Sequence, residues 1–144
     1  NRRRRLMNEA VVSQDKLIRT AAINVVKKCA EFLRLEPDWD SYGGKPANLI
    51  TVQAAIAFLA RVVGRFGGSL GAKAIPLHVA PLSDGGIQYE WMHGDNGIEI
   101  EIHPDGVFAY LQIFGTGDNA QYHEEDNITE NQALTALALV LQDD

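Results

Sequence analysis

Between Ile75 and Phe114 the spacing of apolar residues changes from helical to alternating, and three turn signals cut this stretch into four short segments. Ser83-Asp84-Gly85-Gly86, Asp95-Asn96-Gly97 and Pro104-Asp105-Gly106 are built from residues that tolerate left-handed backbone or fix a bend. Alternation sends successive side chains to opposite faces of a strand. Residues 75–80, 87–93, 98–103 and 107–114 therefore predict an antiparallel four-stranded meander over about 75–114. Pro76 and Pro81 each remove a backbone donor, which assigns the first strand to an edge.

The flanking segments have helical spacing. Leu17, Ile18, Ala21, Ala22, Val25, Val26, Cys29, Phe32 and Leu33 recur every three or four residues, with Lys16, Arg19, Lys27, Lys28 and Arg34 opposite them. That pattern predicts an amphipathic helix over residues 13–35, capped by Ser13 and ended by Pro37. Cys29 lies on its apolar stripe and reads as a packed side chain rather than a nucleophile. A second helix over residues 51–66 buries Ala55, Ile56, Leu59, Ala60 and Val63, and Gly67-Gly68 is its expected stop. After a polar loop, Thr129 and Gln132 form a capping box, with Ile128 as hydrophobic staple. Ala133, Leu134, Leu137, Ala138 and Leu141 then line a closing helix. Two N-terminal helices and one C-terminal helix packed on an antiparallel sheet give the α+β class.

At 144 residues the chain suits one domain, divided into a basic arm over residues 1–12 and a folded body over 13–144. Its 46% apolar and 22% charged residues exclude wholesale disorder. No apolar run approaches the ~20 residues of a membrane-spanning helix. Arg2 to Arg5 are followed by Leu6-Met7-Asn8-Glu9 rather than an apolar core, so a retained signal peptide is not expected. A single cysteine excludes an intrachain disulfide and fits a reducing, cytoplasmic location. The net charge of -6 argues against a duplex nucleic-acid binder, except through Arg2 to Arg5. An acidic body with a basic arm suits a chain that meets another protein or a cationic ligand.

Two features stand out as candidate sites. In Ile98-Glu99-Ile100-Glu101-Ile102-His103 the isoleucines share one face and the polar residues the other. A two-residue loop at Asp95-Asn96 would set Glu90 opposite Glu101, Met92 opposite Glu99 and Gln88 opposite His103. Opposed side chains approach to about 5 Å, and like charges so placed destabilise a sheet. The acidic patch of Glu90, Glu99, Glu101 and His103 therefore reads as a face for a cation, a basic partner or acid/base work, or as an ordinary solvated face with splayed carboxylates. Phe108 and Tyr110 alternate with Val107, Ala109 and Leu111, so either face of that strand could join the glutamates.

The second feature is the loop Asp38-Trp39-Asp40-Ser41-Tyr42-Gly43-Gly44-Lys45-Pro46, which suits presentation of Trp39 and Tyr42, or plugging of the core edge by both rings. Its Gly-Gly-Lys lacks the spacing of a phosphate loop. His123-Glu124-Glu125-Asp126 could ligate a metal, but acids just before a helix more simply favour its dipole. No nucleophile elbow, zincin helix, paired CxxC or dinucleotide fingerprint occurs, so no catalytic residue, metal ligand or cofactor is assigned.

The 38–46 loop, the Pro81-Leu82-Ser83-Asp84-Gly85-Gly86-Ile87-Gln88-Tyr89-Glu90-Trp91 segment, and Ile98-Glu99-Ile100-Glu101 with Pro104-Asp105-Gly106 resemble a family of short, uncharacterised bacterial and phage-associated proteins. That family shares a W-D-x-Y-G-x-x-P loop, a D-G-G-I-x-x-E-W strand and an acidic-hydrophobic strand ending in P-D-G. The resemblance covers residues 38–114 and brings no reaction with it. It implies that Trp39, Tyr42, Glu90, Trp91, Glu99 and Glu101 belong together, around a site or in a shared core. The expected function is a non-catalytic binding or regulatory protein that engages a partner protein through the acidic face and the aromatic-glycine loop. The alternative is a small enzyme or ligand binder using Glu90, Glu99, Glu101 and His103.

Overall fold

A computed structural model describes residues 1–142, and the C-terminal acids Asp143 and Asp144 lie outside the described residues. The elements run α1 (Arg2–Glu31), α2 (Leu49–Leu70), β1 (His78–Pro81), β2 (Ile87–His93), β3 (Asn96–Ile102), β4 (Phe108–Phe114), β5 (Gln121–Ile128) and α3 (Glu130–Leu141). The fold is α+β with an antiparallel sheet, as its alternating pattern requires. Among the described residues that sheet has five strands rather than four, in the order β1-β2-β3-β4-β5. The added strand, β5, replaces most of the expected polar loop and pairs antiparallel with β4. Every residue from Gln121 to Asn127 is exposed, so neither face of β5 carries the apolar half of a strand pattern. His123, Glu124, Glu125 and Asp126 thus belong to an edge strand and not to a helix-start cluster; charges there also deter pairing with another edge.

Helix α1 corrects a second expectation. It begins at Arg2, capped by the Asn1 side chain, and passes through Ser13 without interruption. Contact with the body starts near Gln14, whose side-chain nitrogen sits 2.5 Å from where a Cβ at Gly71 would stand. Val25 and Cys29 are the helix's buried residues. Helix α2 likewise continues past Gly67-Gly68 to Leu70 and stops at Gly71, whose φ of 60° suits glycine. Buried Phe66 and core-packed Leu70 outweigh the weak helix propensity of the two glycines. By length and hydropathy alone Leu49–Ala74 could cross a membrane. Here it lays Val52, Ala55, Phe58, Leu59, Val62 and Phe66 into the protein core. The Thr129–Gln132 capping box forms as expected at the start of α3.

The core lies between the helices and one face of the sheet. Ile87, Tyr89 and Trp91 of β2, Ile98, Ile100 and Ile102 of β3, and Phe108 of β4 are all buried there. Phe58 meets Trp91 and Phe108 edge-on, with ring centroids 6.5 and 5.3 Å apart. The polar atoms taken inside are satisfied: Tyr89 donates to the Ala55 carbonyl at 2.8 Å, Trp91 Nε1 to Ala74 at 2.9 Å, and Gln112 to Ala136 at 3.0 Å. Such pairing offsets the penalty of burying a polar group.

Candidate functional site

Because the strand period is two, burying the isoleucines on the helix face sends Gln88, Glu90 and Met92 of β2 and Glu99 and Glu101 of β3 to the other face. The register differs from the expected one by two residues. Glu90 is opposite Glu99, Gln88 opposite Glu101, and Met92 opposite Gly97. The hairpin loop is Gly94-Asp95 rather than Asp95-Asn96, with Gly94 at φ 61° in the first central position, where a two-residue turn of this kind needs glycine. A shift of two leaves every side chain on its face, so the acidic patch survives the correction. On β4 it is the Ala109, Leu111 side that joins it, since Leu111 pairs with Glu99 and Ala109 with Glu101.

β5 extends the patch. Glu124 stands opposite Leu111 and Tyr122 opposite Ile113. The pairing slips between Phe108 and Tyr110, so Asp126 and Asn127 together face Ala109, with Asn127 at φ 53°. This bulge brings Asp126 to a shallow concavity of about 150 Å³ that it shares with Glu99, Glu101 and Glu124. Burial, then the neighbouring Glu90 and Glu101 charges, push the Glu99 carboxyl above the usual carboxylate range.

His103 sits just past the end of β3 and is held from both sides. Its Nδ1 lies 2.5 Å from Asp84 Oδ2 and its Nε2 lies 3.0 Å from Glu101 Oε2. Burial alone would lower its pKa, but hydrogen bonds and charge from Asp84, then Glu101, outweigh burial and raise it. The ring is therefore an imidazolium over a wider pH range, donating from both nitrogens. It ties the β1–β2 turn to β3 and has no free lone pair in that state.

The 38–46 loop reaches the same turn. Asp40 Oδ1 accepts the backbone N–H groups of Tyr42 and Gly44 at 2.9 and 2.7 Å, and its Oδ2 accepts from the Ser83 hydroxyl. The Ser83 bond, then the backbone bonds, hold the Asp40 carboxyl below the usual range. Lys45 N donates to the Ser83 carbonyl at 2.8 Å. At Gly44 a Cβ would stand 2.6 Å from Asp40 Oδ1, so the loop closes only on glycine. Trp39 is half-buried and its Nε1 donates to the Lys45 carbonyl at 2.9 Å. Tyr42 is 90% exposed, so it does not plug the core edge. Trp91, grouped with these residues by the family resemblance, points the other way into the core.

The structure thus brings Glu90, Glu99, Glu101 and His103 together on one face. It links the Trp39/Tyr42 loop to that face through Asp40, Ser83 and Asp84. Sequence reasoning missed Asp84, Glu124 and Asp126 as parts of the site. A signal was present. Residues 1–73 hold all thirteen Lys and Arg against six Asp and Glu, whereas residues 74–144 hold thirteen Asp and Glu and no Lys or Arg, so the halves carry +7 and -13. Comparison with protein-family models, curated proteins and solved structures finds no match to the chain.

Proposed function

We propose that this chain is a non-catalytic binding or regulatory module that engages a basic segment of a partner protein on the open face of its sheet, with Trp39 and Tyr42 at the rim. One observation carries the reading: helices pack on one face of the sheet, while the other bears Glu90, Glu99, Glu101 and Glu124 around Met92 and half-buried Leu111 and Ile113. Carboxylates directly opposed across strands oppose folding slightly, and an incoming cation turns that repulsion into attraction. Apolar side chains among the charges supply area that water gains by leaving. Tyr42, exposed on a loop braced by Asp40, is an aromatic contact already ordered before binding. A cytoplasmic setting and kinship with the short bacterial and phage-associated proteins belong to the same proposal and rest on the lone cysteine and the three motifs.

The competing reading, a small enzyme or ligand binder on Glu90, Glu99, Glu101 and His103, has less support. Both His103 nitrogens are already engaged by carboxylates, which suits a brace better than a general base. The test is calorimetric titration with an Arg/Leu amphipathic helical peptide and its Glu/Leu counterpart, at physiological salt. The basic peptide should bind and the acidic one should not, and Glu90→Lys/Glu99→Lys/Glu101→Lys should abolish binding while circular dichroism shows a folded chain. Equal binding by a folded triple variant would sink the proposal.

A further inference from the structure

The N-terminal part of α1 stands away from the body. Residues 1–17 are all exposed, including Leu6, Met7, Val11, Val12 and Leu17, which are 55–67% exposed. The stripe that packs Ile18, Ala22, Val25 and Cys29 on the core continues outward through Gln14, Val11 and Met7 at spacings of three and four. An amphipathic stripe that runs on past the body is a helix face with no partner among the described residues. A dozen helical residues alone are marginal in water and gain stability by docking that stripe.

Charge says what would cover it. Residues 1–19 carry six Arg and Lys against Glu9 and Asp15, so the projecting segment is both apolar and cationic. The open sheet face has the complementary composition. It offers Met92, Leu111 and Ile113 among carboxylates of β2, β3 and β5, and no Lys or Arg occurs anywhere from residue 74 onward to repel an incoming cation. The sizes also agree. The thirteen residues before Gln14 span about 20 Å of helix, and a seven-residue strand such as β3 spans about 24 Å.

We infer that the projecting half of α1 docks on the open sheet face of a second copy of this chain, so that the protein self-associates through one basic helix and one acidic sheet. The inference rests on the reading that this face receives a basic segment, and it names that segment. Two different surfaces meet, so the contact is either reciprocal between two chains or propagates into a ring or filament. A helix laid on the open face would complete a sandwich, with the sheet covered on both sides.

Charge exchange tests it in the full-length chain. The helix variant is Arg2→Glu/Arg3→Glu/Arg4→Glu/Arg5→Glu, at exposed positions. The face variant is Glu90→Lys/Glu99→Lys/Glu124→Lys, which leaves the Asp84–His103–Glu101 contacts in place. Sedimentation velocity should show wild type associating with concentration and dissociating with added salt. Each variant alone should weaken association by about a hundredfold or more, because like charges now meet. An equimolar mixture of the two should restore it, since each acidic surface again finds a basic one. Association lost in the helix variant and kept in the face variant overturns the inference, because α1 then meets some other surface. So does a wild type that stays monomeric at its highest soluble concentration. In that event the binding-module reading still stands if the Arg/Leu peptide titrates the face, and falls with the inference if it does not. Should the face variant misfold, a nitroxide on Met7→Cys, mixed with isotope-labelled wild type, gives the same answer. Broadening at Glu99, Leu111 and Glu124 supports the contact, and broadening confined to α1 overturns it.

Discussion

The two faces of the sheet are made from alternate residues of the same strands, yet they obey opposite rules. On the helix face Tyr89, Trp91, Ile98, Ile100 and Ile102 are essentially inaccessible, and each polar atom among them has a partner. On the open face Glu90 and Glu99 are set directly opposite one another, and Glu99 has Glu101 two residues along. One face is optimised for the folded state alone. The other carries a repulsion between Glu90 and Glu99 that folding does not require.

Substitutions on the two faces should therefore differ in size and in sign. Trp91→Ala should be the most damaging, lowering stability by about 3–5 kcal/mol in a denaturant titration, since it opens a cavity beside Phe58 and leaves the Ala74 carbonyl without its donor. A loss below about 1 kcal/mol would mean that the core is far looser than its packing shows. Tyr89→Phe keeps the ring but removes the hydroxyl that donates to the Ala55 carbonyl, which keeps its place in the α2 hydrogen-bond ladder, and should lower stability by about 0.5–1.5 kcal/mol. On the open face the sign reverses. Glu99→Gln should raise stability at neutral pH by about 0.2–1 kcal/mol, because it removes like charge opposite Glu90. Its raised pKa means that the folded state is penalised only once the carboxyl ionises. The gain should appear as pH rises through the folded pKa and vanish well below the ordinary value of 4.5. No pH dependence in the difference between Glu99→Gln and wild type would show that neither burial nor the neighbouring carboxylates disfavour the ionised form.

The smallest effect belongs to His103. Its folded pKa lies above the ordinary 6.5, so its contribution is complete below that pH and is lost as pH rises through the folded value. His103→Gln should flatten that part of the stability profile. A direct readout is the ring's own NMR titration, which should move down toward the ordinary value in Asp84→Asn.

Much of this contrast was legible in the sequence, because it depends only on a period of two. The isoleucine spacing separates the faces whatever the register, which is why placing the hairpin loop one residue late changed the pairings but not the patch. The features hidden from the sequence have no pattern to carry them. Gln121 to Asn127 are polar on both sides, so an edge strand there looks like a loop. Ser13 and the arginine run suggested a helix start and a loose arm, since a solvated helix needs no burial to mark its course. The Asp84–His103 contact joins residues nineteen apart across a turn, and only the register of β2 against β3 brings them together.

The division of charge along the chain has one more consequence. A pI of 5.1 is an average that describes neither half, since residues 1–73 carry +7 and the described residues 74–142 carry -11. Helix α1, with its exposed Lys16, Arg19, Lys27 and Lys28, and the open sheet face form the two ends of a large permanent dipole. Near its pI such a molecule is neutral only on paper: it should be retained by both cation- and anion-exchange resins, and it should turn to present one end to any charged surface it approaches.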